Sequence, residues 1–226
     1  MALLEVCCGN LESVDAAVSG GARRIELCSA LELDGLTPPA EWIREVRRRY
    51  PSLIIHVLVR PRAGDFVYTP EEIETTVAQA ETVLEAGADG IVIGCLTADG
   101  DVDVPAMQRL MQVVDGQASV TFHRAFDVCR RPFEALERIV SLGCARILTS
   151  GQGASVTEGS DMLRELRKRA AGRIIILPGG GVTPQNAGRI LAWTGCSDIH
   201  ASASETREGK KVTSAAKVAS ILNVIQ

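Results

Sequence analysis

Short runs of Val, Ile and Leu alternate along the whole chain with longer stretches in which apolar residues return every three or four positions. The runs predict strands near residues 3–7, 23–28, 53–60, 89–94, 118–123, 145–150, 173–178 and 197–202. The longer stretches predict helices at about 11–20, 39–50, 70–87, 104–114, 133–142, 157–170, 184–193 and 213–225. Thr69-Pro70-Glu71-Glu72 and Thr183-Pro184 place a capping hydroxyl ahead of a proline in the first helical turn. Gly87, Gly143 and Gly172 fall where helices should stop. The strand runs are nearly continuous in aliphatic residues, as parallel strands covered by helices should be.

Eight strand–helix units with no linker or composition shift predict an α/β chain folded as one (β/α)8 TIM barrel over residues 1–226. The competing arrangement is an open doubly wound sheet, which usually carries a Gly-rich first turn; Cys8-Gly9-Asn10 is not one.

One pattern occurs twice: Leu4-Glu5-Val6-Cys7 and Ile25-Glu26-Leu27-Cys28. Side chains alternate along a strand, so Glu5 and Cys7 share one face and Glu26 and Cys28 share one face. Val6 and Leu27 then point the other way, toward helices. A buried glutamate needs a partner, so two at matched positions mark a site.

Composition narrows the classes. A net charge of −4 and no basic stripe interleaved with aromatics argue against nucleic acid. No apolar run approaches the roughly 20 residues of a spanning helix, and no signal peptide is expected. Arg47, Arg48 and Arg49 close an amphipathic helix, the usual place for cations. The seven cysteines are an odd number at irregular spacing with no CxxC pair. They point to free thiols in a reducing cytosol rather than to disulfides or a zinc knuckle.

Active sites of such barrels lie at the C-terminal ends of the strands. Those ends supply Glu5, Cys7, Glu26 and Cys28, then Arg60 with the loop residues Arg62 and Asp65. Further round come Cys95, then His123, Arg124 and Asp127, then Ser150, then Gly179, Gly180 and Gly181, and last His200. The strand middles are expected to be aliphatic. Glu5 and Glu26 on adjacent strands would repel, and Arg60 is the expected counter-ion. Gly179–Gly181 would leave backbone N–H groups bare for an anion, or would simply form a tight turn. His56 is expected to lie deeper and be structural, whereas His123 sits among charges suited to proton transfer. The only lysines are Lys168, Lys210, Lys211 and Lys217, none on a predicted strand, which disfavours a Schiff-base aldolase. No GxSxG, Walker loop, HExxH or GxGxxG occurs.

Together the segments Leu4–Cys7, Arg23–Cys28, Gly35-Leu36-Thr37-Pro38, Arg60-Pro61-Arg62, Gly64-Asp65-Phe66 and Tyr68 resemble those of the CutC family. The resemblance continues in Thr121–Asp127, Arg146–Gln152 and Pro178–Gly181 and so covers nearly the whole chain. It implies a cytoplasmic (β/α)8 barrel tied to copper homeostasis, a homo-oligomer (a dimer is favoured here), and Cu(I) as a bound ion. It also implies Cys7 and Cys28 as the metal ligands. In one departure, Asp34 stands where a glycine is expected before Gly35, so the loop after the second strand is expected to be shaped differently.

Three readings follow, of which the last is a scaffold with no ligand, marked by a pocket that side chains occlude. The first is Cu(I) binding at Cys7 and Cys28, with soft thiolates suited to a soft ion. The second is a barrel enzyme acting on a small anionic or phosphorylated metabolite. There Glu26 or His123 moves protons, and Arg60, Arg62 and Gly179–Gly181 hold the anion. Trp42 and Trp193 are candidate packing surfaces.

Overall fold

The computed structural model describes residues 2–207 and 210–226. The eight barrel strands are β1 (Leu3–Cys8), β2 (Arg24–Leu27), β3 (Ile54–Leu58), β4 (Gly90–Ile93), β5 (Ser119–Phe122), β6 (Arg146–Thr149), β7 (Ile175–Pro178) and β8 (Asp198–Ala201). Eight helices follow them: α1 (Leu11–Ser19), α2 (Ala40–Arg49), α3 (Pro70–Glu85), α4 (Val104–Val114), α5 (Pro132–Ser141), α6 (Ser160–Ala170), α7 (Ala187–Thr194) and α8 (Ala215–Ile225). The strands are ordered β7-β6-β5-β4-β3-β2-β1-β8 and pair in parallel. A parallel bridge between Gly179 and His200 joins the two outer strands, which makes the sheet a (β/α)8 barrel.

Local chemistry sets most boundaries. The Thr69 hydroxyl accepts the Glu72 N–H at 3.3 Å while the Glu72 carboxylate accepts the Thr69 N–H at 2.9 Å, a closed capping box at the start of α3. Gly87, Gly143 and Gly172 take φ of +103°, +83° and +80° just beyond α3, α5 and α6, as expected. Thr183 does not cap α7. Its own N–H is taken by the Asn186 side chain at 2.8 Å, Pro184–Asn186 form a turn, and the helix starts at Ala187. The helix expected from 157 starts instead at Ser160, because the loop after β6 folds back on itself. At its closest approach a β-carbon on Gly159 would stand 1.9 Å from the Ser150 carbonyl oxygen.

An antiparallel hairpin of β9 (Ser204–Arg207) and β10 (Lys210–Thr213) precedes α8 and has no counterpart in the expected elements. Ser-Glu-Thr-Arg offers no apolar face to reveal it. Short 3-10 helices at Leu31–Leu33 and Arg124–Val128 shape the loops above β2 and β5. Asp34 takes φ +63°, the left-handed conformation that glycine adopts at least expense, so the loop carries a glycine-like turn on an aspartate.

The main core lies between sheet and helices, with Val6, Ile25, Leu27, Ile55, Val57, Ile91 and Phe122 on the outer strand faces. Each such side chain contributes about 1.5–3 kcal/mol by leaving water. The lumen is different. At the inward strand middles stand Glu5, Arg24 and His56, not the expected aliphatics; Cys28, Leu58 and Val92 form a small apolar cluster in the lumen with Cys7 packed against it, and Leu148 is also buried there. Trp193 is half exposed beneath the Arg164 guanidinium, whereas Trp42 packs partly against the core. No helix among the described residues is long and apolar enough to cross a membrane.

Candidate functional site

Register explains why the lumen carries charge. Pairing sets Glu5 beside Arg24 and beside His200, and Cys7 and His56 each beside Glu26. The Glu5 carboxylate is wholly buried and fully engaged. Oε1 lies 3.0 Å from His200 Nδ1, and Oε2 lies 2.8 Å from both His56 Nδ1 and Arg24 Nε. Arg24 also reaches Asp198 at 2.7 Å. Burial alone would raise the Glu5 carboxyl, but the hydrogen bonds and charges of His200 and His56 hold it well below its usual value. The counter-ion of Glu5 is thus Arg24, not Arg60. The reason is register: Arg24 lies directly across from Glu5, and Arg60 lies beyond the end of β3.

Arg60 points its guanidinium into backbone instead. Nη1 donates to the carbonyls of Leu33 and Gly35, each at 3.0 Å, and Nη2 donates to that of Gly64 at 2.7 Å. It thereby pins the loops after β2 and β3 over the barrel mouth. The Phe66 ring centre lies 5.1 Å from it, and that ring meets the His123 ring at a 51° tilt with centroids 4.8 Å apart.

One layer above Glu5 stand Cys7, Glu26 and His200. A sulfur, a carboxylate oxygen and a ring nitrogen from these three lie within 4.8 Å of one another. Cys28 stands behind, its Sγ 3.8 Å from that of Cys7. The contact with Cys28 and then burial raise the Cys7 thiol well above its usual value, and burial raises Glu26. Burial opposes a charge on His200, but Glu26, Cys7 and Glu5 around it win and raise it well above the usual histidine value. His200 is therefore a protonated ring between two carboxyl groups.

These residues floor a cavity of about 400 Å³ at the barrel mouth. Of the sequence candidates, Cys7, Glu26, Arg60, His123, Arg124, Asp127 and His200 line it. Cys28 sits just beneath, and Glu5 lies deeper. Arg62 and Asp65 lie outside, bound to each other at 2.8 Å, with Arg62 also on Glu72 at 2.5 Å. Ser150 is wholly buried, with its hydroxyl donated to the Gly153 carbonyl at 2.6 Å. Gly180 lies under the Arg124 guanidinium, and the Gly179 N–H is already donated to Thr149 at 3.0 Å. Gly181 lines a separate groove with Lys217 and Ser204. The triple glycine is thus not part of the mouth cavity.

His123 accepts the Ala125 N–H on Nδ1 at 3.2 Å, which leaves its proton on Nε2. Burial, then Arg60, push its pKa down to about 3, so the ring is a neutral donor. Leu31, Asp34, Phe66 and Leu148 complete the walls. These wall residues sit on loops or inward strand ends, and only their place in the fold reveals them.

The sequence profile of the CutC family matches residues 2–205. A family protein CutC of Bacteroides fragilis is 50% identical over 204 residues, 90% of this chain and 81% of that protein. One of Bacteroides thetaiotaomicron is 48% identical over 202 residues, 89% of this chain and 81% of its own. Among solved structures, the CutC protein of Streptococcus agalactiae, which carries a copper-homeostasis name, superposes with a TM-score of 0.85 at 31% identity. That superposition covers 89% of this chain and 99% of the other. By sequence and by fold, the chain belongs to the CutC family.

Proposed function

We propose that the protein binds Cu(I) as cargo at Cys7 and Cys28, with His200 as a third donor. The observation that carries this reading is the placement of His200. Its Nδ1 is held by Glu5, so Nε2 is the nitrogen left for a metal beside Cys7. A carboxylate behind a ligating histidine is the recurrent outer support of metal sites.

The thiol spacing supports a bent centre. With metal–sulfur bonds of about 2.3 Å, the 3.8 Å between the two sulfurs corresponds to a sulfur–metal–sulfur angle of about 110°. A linear two-coordinate ion needs the sulfurs about 4.6 Å apart. Three-coordinate binding therefore suits the resting geometry, and Glu26 at 3.6 Å from His200 Nε2 can take the released proton. Soft thiolates select Cu(I) over hard cations.

The test is anaerobic Cu(I) titration against a chromophoric chelator. One equivalent is expected for the wild type, a lower affinity for His200→Asn, and loss of binding for the Cys7→Ser, Cys28→Ser double variant. Unchanged stoichiometry in the double variant refutes the assignment. The same reading places the protein in the reducing cytosol, which its seven free thiols favour. It also takes the chain as a homodimer, with the exposed Trp193 as a contact; sedimentation of wild type and Trp193→Ser checks this.

A further inference from the structure

Two arginines are buried in the barrel, and they are treated oppositely. Arg24 meets Glu5 and Asp198. Arg60, 3% exposed, meets no carboxylate among the described residues. Its three hydrogen bonds all go to neutral carbonyls, and its Nε–H is buried with no partner. A guanidinium does not lose its proton to escape burial, and buried charges are ordinarily paired. Arg60 thus carries a buried charge that no carboxylate among the described residues balances.

The surroundings fit an anion. Arg60 lines the mouth cavity. Beside it the neutral His123 offers an Nε2–H donor, and Arg124 stands on the same wall with its Nε on Asp127 at 2.7 Å. Phe66, Leu58 and Leu148 supply apolar wall. Arg124 is paired with Asp127, so Arg60 is the arginine of the cavity with no carboxylate against it among the described residues. One unpaired guanidinium matches a monoanion, while Asp34 on the cavity wall opposes the second charge of a dianion such as phosphate.

We propose that the mouth cavity binds a small organic monocarboxylate, its carboxylate seated on Arg60 and its apolar body against Phe66, Leu58 and Leu148. This site goes beyond the copper reading and does not depend on it. About 400 Å³ is within the range of small-molecule sites and admits a body the size of one aromatic ring.

The experiment uses the full chain with chelator present, at fixed ionic strength, with chloride replaced by phenylacetate, acetate or phosphate. Thermal unfolding is followed in the wild type and in Arg60→Met. A saturable rise in Tm of about 3 °C at ten times the half-saturating phenylacetate concentration is expected for the wild type. Acetate should need a higher concentration, and Arg60→Met should show no rise. The phenylacetate effect should survive in Cys28→Ser, whose side chain lies beneath the cavity and not on its wall, which separates this site from the metal centre. Equal responses in wild type and Arg60→Met, no response in either, or an Arg60-dependent rise with phosphate alone each overturn the proposal. If Arg60→Met does not fold, the wild-type Arg60 Nε–H resonance, assigned through Arg60→Lys, decides. It must move with phenylacetate, and a stationary resonance refutes the site.

Discussion

His123 gives a pH dependence whose sign and size follow from its surroundings. In the unfolded chain a histidine titrates near 6.5, whereas in the folded chain burial and Arg60 hold this ring down to about 3. A depressed base stabilises the fold fully above its unfolded pKa, and that stability is lost as pH falls. Below about 6.5 the unfolded chain takes up a proton that the folded chain refuses. Between pH 7 and pH 5 this amounts to about 2 kcal/mol. Other groups titrate in the same window, so the wild type must be compared with a variant in which only this ring is removed. His123→Asn is suitable because its side-chain oxygen can still accept the Ala125 N–H that Nδ1 accepts now. Urea unfolding at both pH values should show the wild type losing about 2 kcal/mol more stability than the variant. Losses that agree within about 0.5 kcal/mol refute the claim that this ring stays neutral. The ring C–H resonances give an independent check and should not titrate above about pH 4.

Three further outcomes are expected. Arg24→Met should lower stability by about 3–5 kcal/mol in urea unfolding, because it leaves the Glu5 carboxylate, buried at 0% exposure, and Asp198 without their arginine. Gly159→Ala should unfold the loop after β6 or the whole chain, since its β-carbon meets a backbone oxygen at 1.9 Å. Gly172→Ala, which meets open space, should lose only the left-handed strain of about 1–2 kcal/mol. Cu(I) affinity should rise by more than tenfold per pH unit between pH 6 and 8, because Cys7 and His200 both hold protons there and must shed them; competition titrations at three pH values measure the slope.

Periodicity carried the barrel: all eight strands lie within a few residues of where the aliphatic runs put them, because each run faces helices on its outer side. The repeated Glu-x-Cys pattern correctly put Glu5, Cys7, Glu26 and Cys28 in one lumen. What failed was pairing. Arg24 sits beside Arg23 at the start of a strand and carries no pattern that marks its role; only the register against β1 sets it beside Glu5. Arg60 looked like a counter-ion by type, yet three carbonyls from two loops claim it, and loop paths leave no period in the sequence. Arg62 and Asp65, three residues apart, find each other locally before any ligand could. The polar hairpin after β8 escaped for a related reason. Its alternation buries nothing that hydropathy can register.

Glu5 has no oxygen to spare. One faces His200 and the other faces His56 and Arg24, so four strands share a single carboxylate. Whatever draws on the outer nitrogen of His200 must redistribute that sharing, and His56 feels the change without touching the visitor. The imidazole of His56 is therefore a built-in gauge of occupancy, readable by nitrogen-15 shifts from the far side of the carboxylate.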